Sequence, residues 1–145
     1  MKKRDWVQIF GLFFLALLLD QYTKFWATSK PESWHGILHI VTVHNHGAML
    51  GLFSNLTAFL RIVLLSTSGI FILSIYFFLQ YIIPIPILKL RYGLSLLVGG
   101  ILGNVIDRIA HGYVIDFISI GFGKWHSPVW NAADMIQWVG YFVIA

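Results

Sequence analysis

Cysteine is absent from this chain of 145 residues, and charged residues are scarce. Without cysteine the chain has no disulfide, no thiol nucleophile and no cysteine-based metal site. Charged residues make up 11% of the chain and hydrophobic residues 58%, whereas soluble domains have about 25% charged and about 45–50% apolar residues. This composition predicts an integral membrane protein.

Several functional signatures are also missing. Glutamate occurs once, as Glu32, and the chain contains no His-Glu-x-x-His motif of zinc peptidases and no Gly-x-Ser-x-Gly motif of serine hydrolases. The net charge is +4, but the basic residues are scattered along apolar segments and form no continuous basic face. We therefore expect no metal, no cofactor and no nucleic-acid partner, and we expect membrane lipids to account for the positive charge.

Four apolar stretches predict transmembrane helices. A helix needs about 20 residues, at 1.5 Å each, to cross the roughly 30 Å hydrocarbon core of a bilayer. The stretches cover residues 6–26, 58–81, 92–109 and 132–145. We therefore predict an all-α membrane protein with four transmembrane helices, folded as a single domain over residues 1–145.

The first stretch has an alternative interpretation. Three basic residues before an uncharged run are also typical of a secretory signal, and Lys2, Lys3 and Arg4 precede this one. Asp20 and Lys24, however, lie four residues apart, where they can pair on one face of a helix. Including them gives a full span, which favours a retained first helix.

Prolines and basic residues set the predicted boundary between the second and third helices. Pro84 and Pro86 should end the second helix near Tyr81, and Lys89 and Arg91 should form a short basic turn before the third. The last helix covers only about 18 Å, so we expect the natural protein to continue for another turn or two.

The segments between the helices contain strand-like sequence. Residues rich in branched side chains predict a strand over Ile37–Val43, in a small extramembrane β-containing element between the first and second helices. Residues 113–120 are also expected to be extended. Basic residues are densest before the first helix and between the second and third, which predicts a cytoplasmic N-terminus and places the loops 27–56 and 109–133 outside.

Acidic residues cluster in one part of the chain. Three of the six Asp and Glu residues are Asp107, Asp116 and Asp134, and ionisable groups near a membrane are costly unless they serve a function. Asn104, Asp107 and Arg108 share one helical face and are expected to bond to other segments as structural support. Asp116 and Asp134 lie on either side of a chain reversal that can bring them together.

Two carboxylates about 3 Å apart share a proton, so that one acts as a general base on water and the other as an acid toward a carbonyl. This chemistry hydrolyses a peptide bond without a covalent intermediate. The residues alone leave other interpretations open: Asp116 and Asp134 as helix caps or ion-pair partners, a metal-dependent hydrolase that uses the histidines around His44 and His46, and a small transporter whose polar groups line a pathway.

Five motifs, in order along the chain, resemble those of the lipoprotein signal peptidases, also called signal peptidase II, which are bacterial membrane aspartyl peptidases. They are Asp20-Gln21-Tyr22-Thr23-Lys24, Asn45-His46-Gly47-Ala48, the segment from Gly99 to Arg108, Val114-Ile115-Asp116-Phe117, and the segment from Pro128 to Asp134. The chain departs from the family pattern at Met49-Leu50, where Ala-Phe is usual, and at Trp130, where Phe is common. Those differences concern the shape of the apolar pocket.

The resemblance implies a function and a set of site residues. Asp116 and Asp134 match the catalytic pair, and eight residues match positions that shape or support the site: Asp20, Lys24, Asn45, Gly47, Asn104, Asp107, Arg108 and Asn131. The implied activity is removal of the signal peptide from diacylglyceryl-modified prolipoproteins, with cleavage before the lipidated cysteine. The implied location is the bacterial inner membrane, with the site near its outer face, and we expect a monomer.

Overall fold

The computed structural model describes residues 2–46, 55–81 and 86–145, apart from the side chains at positions 61, 62, 65 and 66. These residues form four helices and four strands, in the order α1 (Lys3–Thr28), β1 (Ser33–His35), β2 (Leu38–Asn45), α2 (Ala58–Tyr81), α3 (Leu88–His111), β3 (Val114–Phe122), β4 (Trp125–His126) and α4 (Ala132–Ile144). The fold is mostly helical with a small antiparallel sheet.

Two described helices, α1 and α3, are long and apolar enough to cross a membrane. The apolar segment Thr67–Tyr81 of α2 and the whole of α4 are shorter. The predicted bounds of the second helix, 58–81, are those of α2. The first and third predicted stretches lie inside α1 and α3, which extend beyond them.

The predicted basic turn before the third helix is wrong, because α3 already begins at Leu88 and includes Lys89 and Arg91. Arg91 is only 3% exposed. Its Nη1 donates to the Gln80 backbone carbonyl at 2.8 Å, and its guanidinium lies 5.4 Å from the centre of the Trp6 ring. Since the protein itself surrounds this charge, the residue does not have to leave the helix to reach water.

The sheet is assembled from both interhelical segments, with strand order β1-β2-β3-β4. Strand β2 pairs antiparallel with β3, matching Leu38 with Ile120 and Val43 with Asp116. The prediction placed the β-containing element between the first two helices, which is incomplete because β3 and β4 follow α3. The predicted extended segment 113–120 corresponds to β3, which begins one residue later, at Val114, and ends at Phe122; the sheet thereby brings Asp116 next to β2.

Helix α3 lies at the centre of the bundle because three of its glycines admit close neighbours. A Cβ atom added at Gly99 would lie 2.9 Å from both the Ala16 Cβ and the Phe13 carbonyl oxygen of α1, and one at Gly100 would lie 2.6 Å from the Ala133 carbonyl oxygen of α4. Gly103 faces the Asp20 carboxylate. Close approach of α1 and α4 to α3 brings the polar residues of all three helices together.

Candidate active site

A buried ion-pair cluster joins α1 to α3. The Lys24 ammonium lies 2.8 Å from Asp20 Oδ2 and 2.8 Å from Asp107 Oδ2, and all three side chains are at most 2% exposed. The predicted pairing of Asp20 with Lys24 is confirmed. Asp107 bonds to other segments, at Lys24 and Ile115, as expected.

Both carboxylates of this cluster also accept hydrogen bonds from backbone N–H groups outside α1 and α3. Asp20 Oδ1 accepts the N–H of Ala133 at 2.9 Å, and Asp107 Oδ2 accepts the N–H of Ile115 at 3.0 Å. Ala133 directly precedes Asp134, and Ile115 directly precedes Asp116. The cluster therefore fixes the backbone beside each member of the expected catalytic pair.

Gln21 also belongs to this cluster. It lies in the first motif, between Asp20 and Lys24, but it was not among the predicted site residues. Its Nε2 lies 3.1 Å from Asp20 Oδ2 and 3.0 Å from Asp107 Oδ1, and it donates to both. A neutral donor between two carboxylates reduces their repulsion. Its position next to Asp20 in the first motif was the only sequence signal for this role.

Asp116 lies in β3 and is 4% exposed. Its Oδ1 accepts from Asn131 Nδ2 at 2.7 Å, and its Oδ2 accepts from Asn45 Nδ2 at 3.1 Å. Burial raises the pKa of Asp116 from its ordinary value of 3.8 to about 6; the Asp134 carboxylate acts in the same direction, whereas the bonds from Asn45 and Asn131 oppose it. Asp116 therefore keeps a proton at a pH where an exposed aspartate has lost it.

Asp134 lies in the first turn of α4, where backbone N–H groups favour a negative charge. Its Oδ1 accepts from Asn104 Nδ2 at 2.8 Å. Asn131 caps the helix: its Oδ1 accepts the Asp134 N–H at 3.0 Å, and its own N–H donates to Asp134 Oδ2 at 3.3 Å. This reciprocal capping box fixes Asp134 relative to Asn131.

Two asparagine amides connect the carboxylates. Asn131 Nδ2 donates to Asp116 and also to Asn104 Oδ1, at 3.0 Å, while Asn104 donates to Asp134. The chain reversal thus brings Asp116 and Asp134 to one site, as the sequence suggested.

Both aspartates line a single cavity of about 730 Å³. Its walls come from the four elements α2, α3, α4 and β3, from the end of β2 and from the segment before α4, and they include Asn45, Asn104 and Arg108. Arg108 Nη1 donates to the Asn104 backbone carbonyl at 3.2 Å. Most of the remaining lining is apolar, including Ile72, Ile101, Val105, Trp130, Met135 and Trp138.

Gly47 and the pair Met49-Leu50 lie outside the described residues. Asn45, the other site residue from the same motif, ends β2 and reaches Asp116. The structure therefore brings together nine of the ten site residues named from the sequence: Asp20, Lys24, Asn45, Asn104, Asp107, Arg108, Asp116, Asn131 and Asp134.

The histidines have other neighbours. His44 stacks on Tyr113 with ring centroids 4.1 Å apart, and His39 Nε2 lies 2.7 Å from Glu32 Oε1. Within residues 2–46, 55–81 and 86–145, no three His, Asp or Glu side chains are arranged to hold a metal ion. The geometry favours carboxylate chemistry at Asp116 and Asp134 over chemistry at the histidines.

Comparison with known proteins identifies the family. Residues 12–145 match the family model described as signal peptidase (SPase) II. The lipoprotein signal peptidase of Wigglesworthia glossinidia brevipalpis is 36% identical over 132 residues, covering 88% of this chain and 84% of the relative. That of Clostridium novyi (strain NT) is 37% identical over 145 residues, covering 94% and 90%. A solved bacterial membrane enzyme aligns with a TM-score of 0.76 and 27% identity, covering 94% of this chain and 84% of the other. The chain therefore belongs to the signal peptidase II family of peptidases.

Proposed function

We propose that this chain is an aspartic endopeptidase that removes the signal peptide from diacylglyceryl-modified prolipoproteins by cutting before the lipidated cysteine. The observation that carries the proposal is the pair of aspartates on one cavity wall, each held by an asparagine amide and joined to the other through these amides. Family membership and the names of the relatives support the same activity.

The two carboxyl groups have different environments, which suggests different roles. Asp116, whose pKa burial raises to about 6, holds the shared proton and donates it toward the oxygen of the scissile carbonyl. Asp134, at a helix N-terminus and with an amide donor on Oδ1, takes a proton from the attacking water. The titration of such a pair belongs to both groups together.

The reaction then balances without a covalent intermediate. The water oxygen bonds to the carbonyl carbon while its proton passes to Asp134 and the Asp116 proton passes to the carbonyl oxygen, giving a gem-diol. As the C–N bond breaks, Asp134 returns its proton to the leaving nitrogen. Asp116 recovers a proton from one hydroxyl as the carbonyl re-forms.

The apolar walls of the cavity suit a lipid-modified substrate. A volume of about 730 Å³ lies within the roughly 300–1,000 Å³ typical of ligand pockets, and the walls carry side chains such as Ile72, Ile101 and Trp138. Acyl chains held in the bilayer would fix the adjacent peptide bond near the membrane surface and raise its effective concentration at the site.

Four membrane-spanning helices with a cytoplasmic N-terminus, in the bacterial inner membrane, are part of the same proposal. Site residues lie near the C-terminal ends of α1 and α3 and at the start of α4. At the other end of the bundle, Trp6 of α1 stacks on Tyr81 at the end of α2, with ring centroids 5.0 Å apart, and on the Arg91 guanidinium at the start of α3. This arrangement is that of helices alternating in direction, with the site in one layer.

Cleavage of a diacylglyceryl-modified precursor by the purified chain tests the proposal. We expect Asp116→Asn and Asp134→Asn each to reduce kcat by about 10²–10⁴-fold, because each removes one proton-transfer group. Gly11→Ala is the control, since a Cβ at Gly11 has no neighbour within 4 Å.

Two results would contradict the proposal. One is a wild-type cleavage rate in either aspartate variant, which would remove that residue from the chemistry. The other is equal cleavage of the precursor with and without its diacylglyceryl group, which would indicate general proteolysis.

A further inference from the structure

The Asn104 side chain lies between the Lys24 cluster and the two aspartates. Its Oδ1 accepts from Lys24 Nζ at 3.1 Å and from Asn131 Nδ2 at 3.0 Å. Its Nδ2 donates to Asp134 Oδ1 at 2.8 Å. One amide thus has two donors on its oxygen side and a carboxylate on its nitrogen side.

The neighbours fix the orientation of this amide. An ammonium group can only donate hydrogen bonds, so the Asn104 oxygen must face Lys24. The Asn131 amide is fixed independently, because its Oδ1 accepts the Asp134 backbone N–H, and its Nδ2 therefore also faces Asn104 as a donor. Reversing Asn104 would place its NH₂ against two donors and its oxygen against the Asp134 carboxylate.

We propose that Lys24 is a positioning residue for the catalytic pair: by donating to the Asn104 oxygen it holds the Asn104 amide with its N–H toward the Asp134 carboxylate. The inference rests on the proposed aspartic peptidase function. A hydrogen bond donated to the charged form of a carboxyl group favours that form. Lys24 thereby acts on the reaction through Asn104, although it lies in α1, whereas Asp116 lies in β3 and Asp134 in α4.

Asn131 shares this role, because its Nδ2 donates to the same oxygen of Asn104. Arg108 of α3 donates to the Asn104 backbone carbonyl, which stays in place if the side chain reverses. Asp20 and Asp107 face Lys24 itself. On β2, Asn45 bonds to Asp116, and His44 stacks on Tyr113.

The first experiment compares pH profiles of kcat/KM for cleavage of the diacylglyceryl-modified precursor by the full chain in detergent micelles. In Lys24→Met the Asn104 oxygen keeps only one donor, Asn131 Nδ2, so the amide N–H is held less firmly toward Asp134 and we expect the acidic limb to move up by about one pH unit. Lys24→Arg should restore the wild-type limb because a guanidinium is also only a donor. Arg91→Met is the matched control, since Arg91 is equally buried, at 3% exposure, but lies away from the site; its limb should not move.

A double-mutant cycle separates positioning from the simple loss of a nearby positive charge. Asn104→Leu removes the amide and should shift the acidic limb at least as far as Lys24→Met does. Adding Lys24→Met to Asn104→Leu should then give only a small further shift, from the through-space effect of the Lys24 charge on Asp116, because the amide through which Lys24 acts is gone. A further shift in the double variant as large as that of Lys24→Met alone would overturn the inference.

Two further outcomes are informative. If Lys24→Met does not fold because two buried carboxylates lose their cation, Lys24→Met combined with Asp107→Asn is compared with Asp107→Asn alone, and the same shift is expected. An unmoved limb in a variant that still cleaves would overturn the role of Lys24 and leave the proposed function intact. Wild-type cleavage by Asp116→Asn or Asp134→Asn would instead overturn the proposed function.

Discussion

At the scale of single residues, Asp116 shows how burial sets both chemistry and stability. The carboxyl group is almost fully buried and receives hydrogen bonds from two neutral amides. These bonds offset only part of the desolvation, so the proton is held more tightly in the folded protein than in the unfolded chain. The same property that suits Asp116 for donating a proton therefore lowers the stability of the protein when the group ionises.

The stability of the folded protein should depend on pH through Asp116. Its pKa rises from 3.8 to about 6 on folding, so the folded state holds the proton more tightly, and the free energy of unfolding falls as pH rises from about 4 to about 6. Asp116→Asn has no such proton. Between these two pH values we therefore expect the free energy of unfolding of the variant to rise by about 3 kcal/mol relative to that of the wild type. Thermal or denaturant unfolding in detergent measures this difference. A difference that stays constant from pH 4 to pH 7 would contradict the assignment.

The sequence predicted which residues lie together at the candidate site better than it predicted their connections. Scarcity of acids, and the five motifs, singled out Asp116, Asp134 and most of their supporting residues. The amide orientations of Asn104 and Asn131, and the role of Gln21, depend on which donors and acceptors of α1, α3 and α4 face one another. No spacing along the chain contains that information.

At the scale of secondary structure, the glycines of α3 decide how closely the site-bearing helices approach. Gly100 packs against the Ala133 carbonyl oxygen, one residue before Asp134. Gly99 and Gly103 also face α1, at Ala16 and Asp20 respectively. Helix packing and site geometry are therefore determined by the same residues.

Gly100→Ala should disturb both packing and catalysis. The new Cβ would lie 2.6 Å from a backbone oxygen of α4, so α4 must shift, at a cost of about 1–3 kcal/mol. We expect reduced thermal stability and reduced cleavage, because the start of α4 carries Asp134. Gly11→Ala in α1, whose added Cβ meets nothing within 4 Å, serves as the matched substitution and should retain both. Equal behaviour of the two variants would argue against close packing at Gly100.

Helix bounds were predictable where proline or glycine fixed them, as at Tyr81. The start of α3 was not, because charge normally marks a helix end near a membrane, and nothing in the sequence shows that Arg91 is enclosed by Gln80 and Trp6. The sheet was only half predicted. Its pairing of β2 with β3 joins segments more than 70 residues apart, and such a contact depends on how the helices bring the two loops together.

At the scale of the whole molecule, the polar residues occupy the two ends of the bundle. One end holds the Lys24 cluster and the aspartates, and the other holds Arg91, Gln80 and the aromatic contacts of Trp6. Outward-facing apolar side chains on α1 and α2, such as Phe25 at 75% and Phe59 at 74% exposure, suit contact with lipid. This distribution supports the proposed insertion in a membrane, and the proposed orientation places the end with the aspartates outside.

The absence of cysteine makes that orientation directly measurable. Two exposed lysines lie at opposite ends of the bundle. Lys124 is in the turn between β3 and β4, and Lys89 is in the first turn of α3. We expect Lys124→Cys to react with a membrane-impermeant maleimide in intact spheroplasts, and Lys89→Cys to react only after permeabilisation. The opposite pattern of labelling would reverse the proposed topology.

The bonds from Asp20 to Ala133 and from Asp107 to Ile115 have a consequence for biosynthesis. Helix α1 leaves the ribosome first, yet its carboxylate binds the backbone of α4, which leaves last. The segment that carries Asp116 is likewise tied to a residue that pairs with Lys24 of α1. A nascent chain therefore cannot hold Asp134 in this position until α4 lies beside α1, so under the proposed function cleavage starts only after α4 has been synthesised.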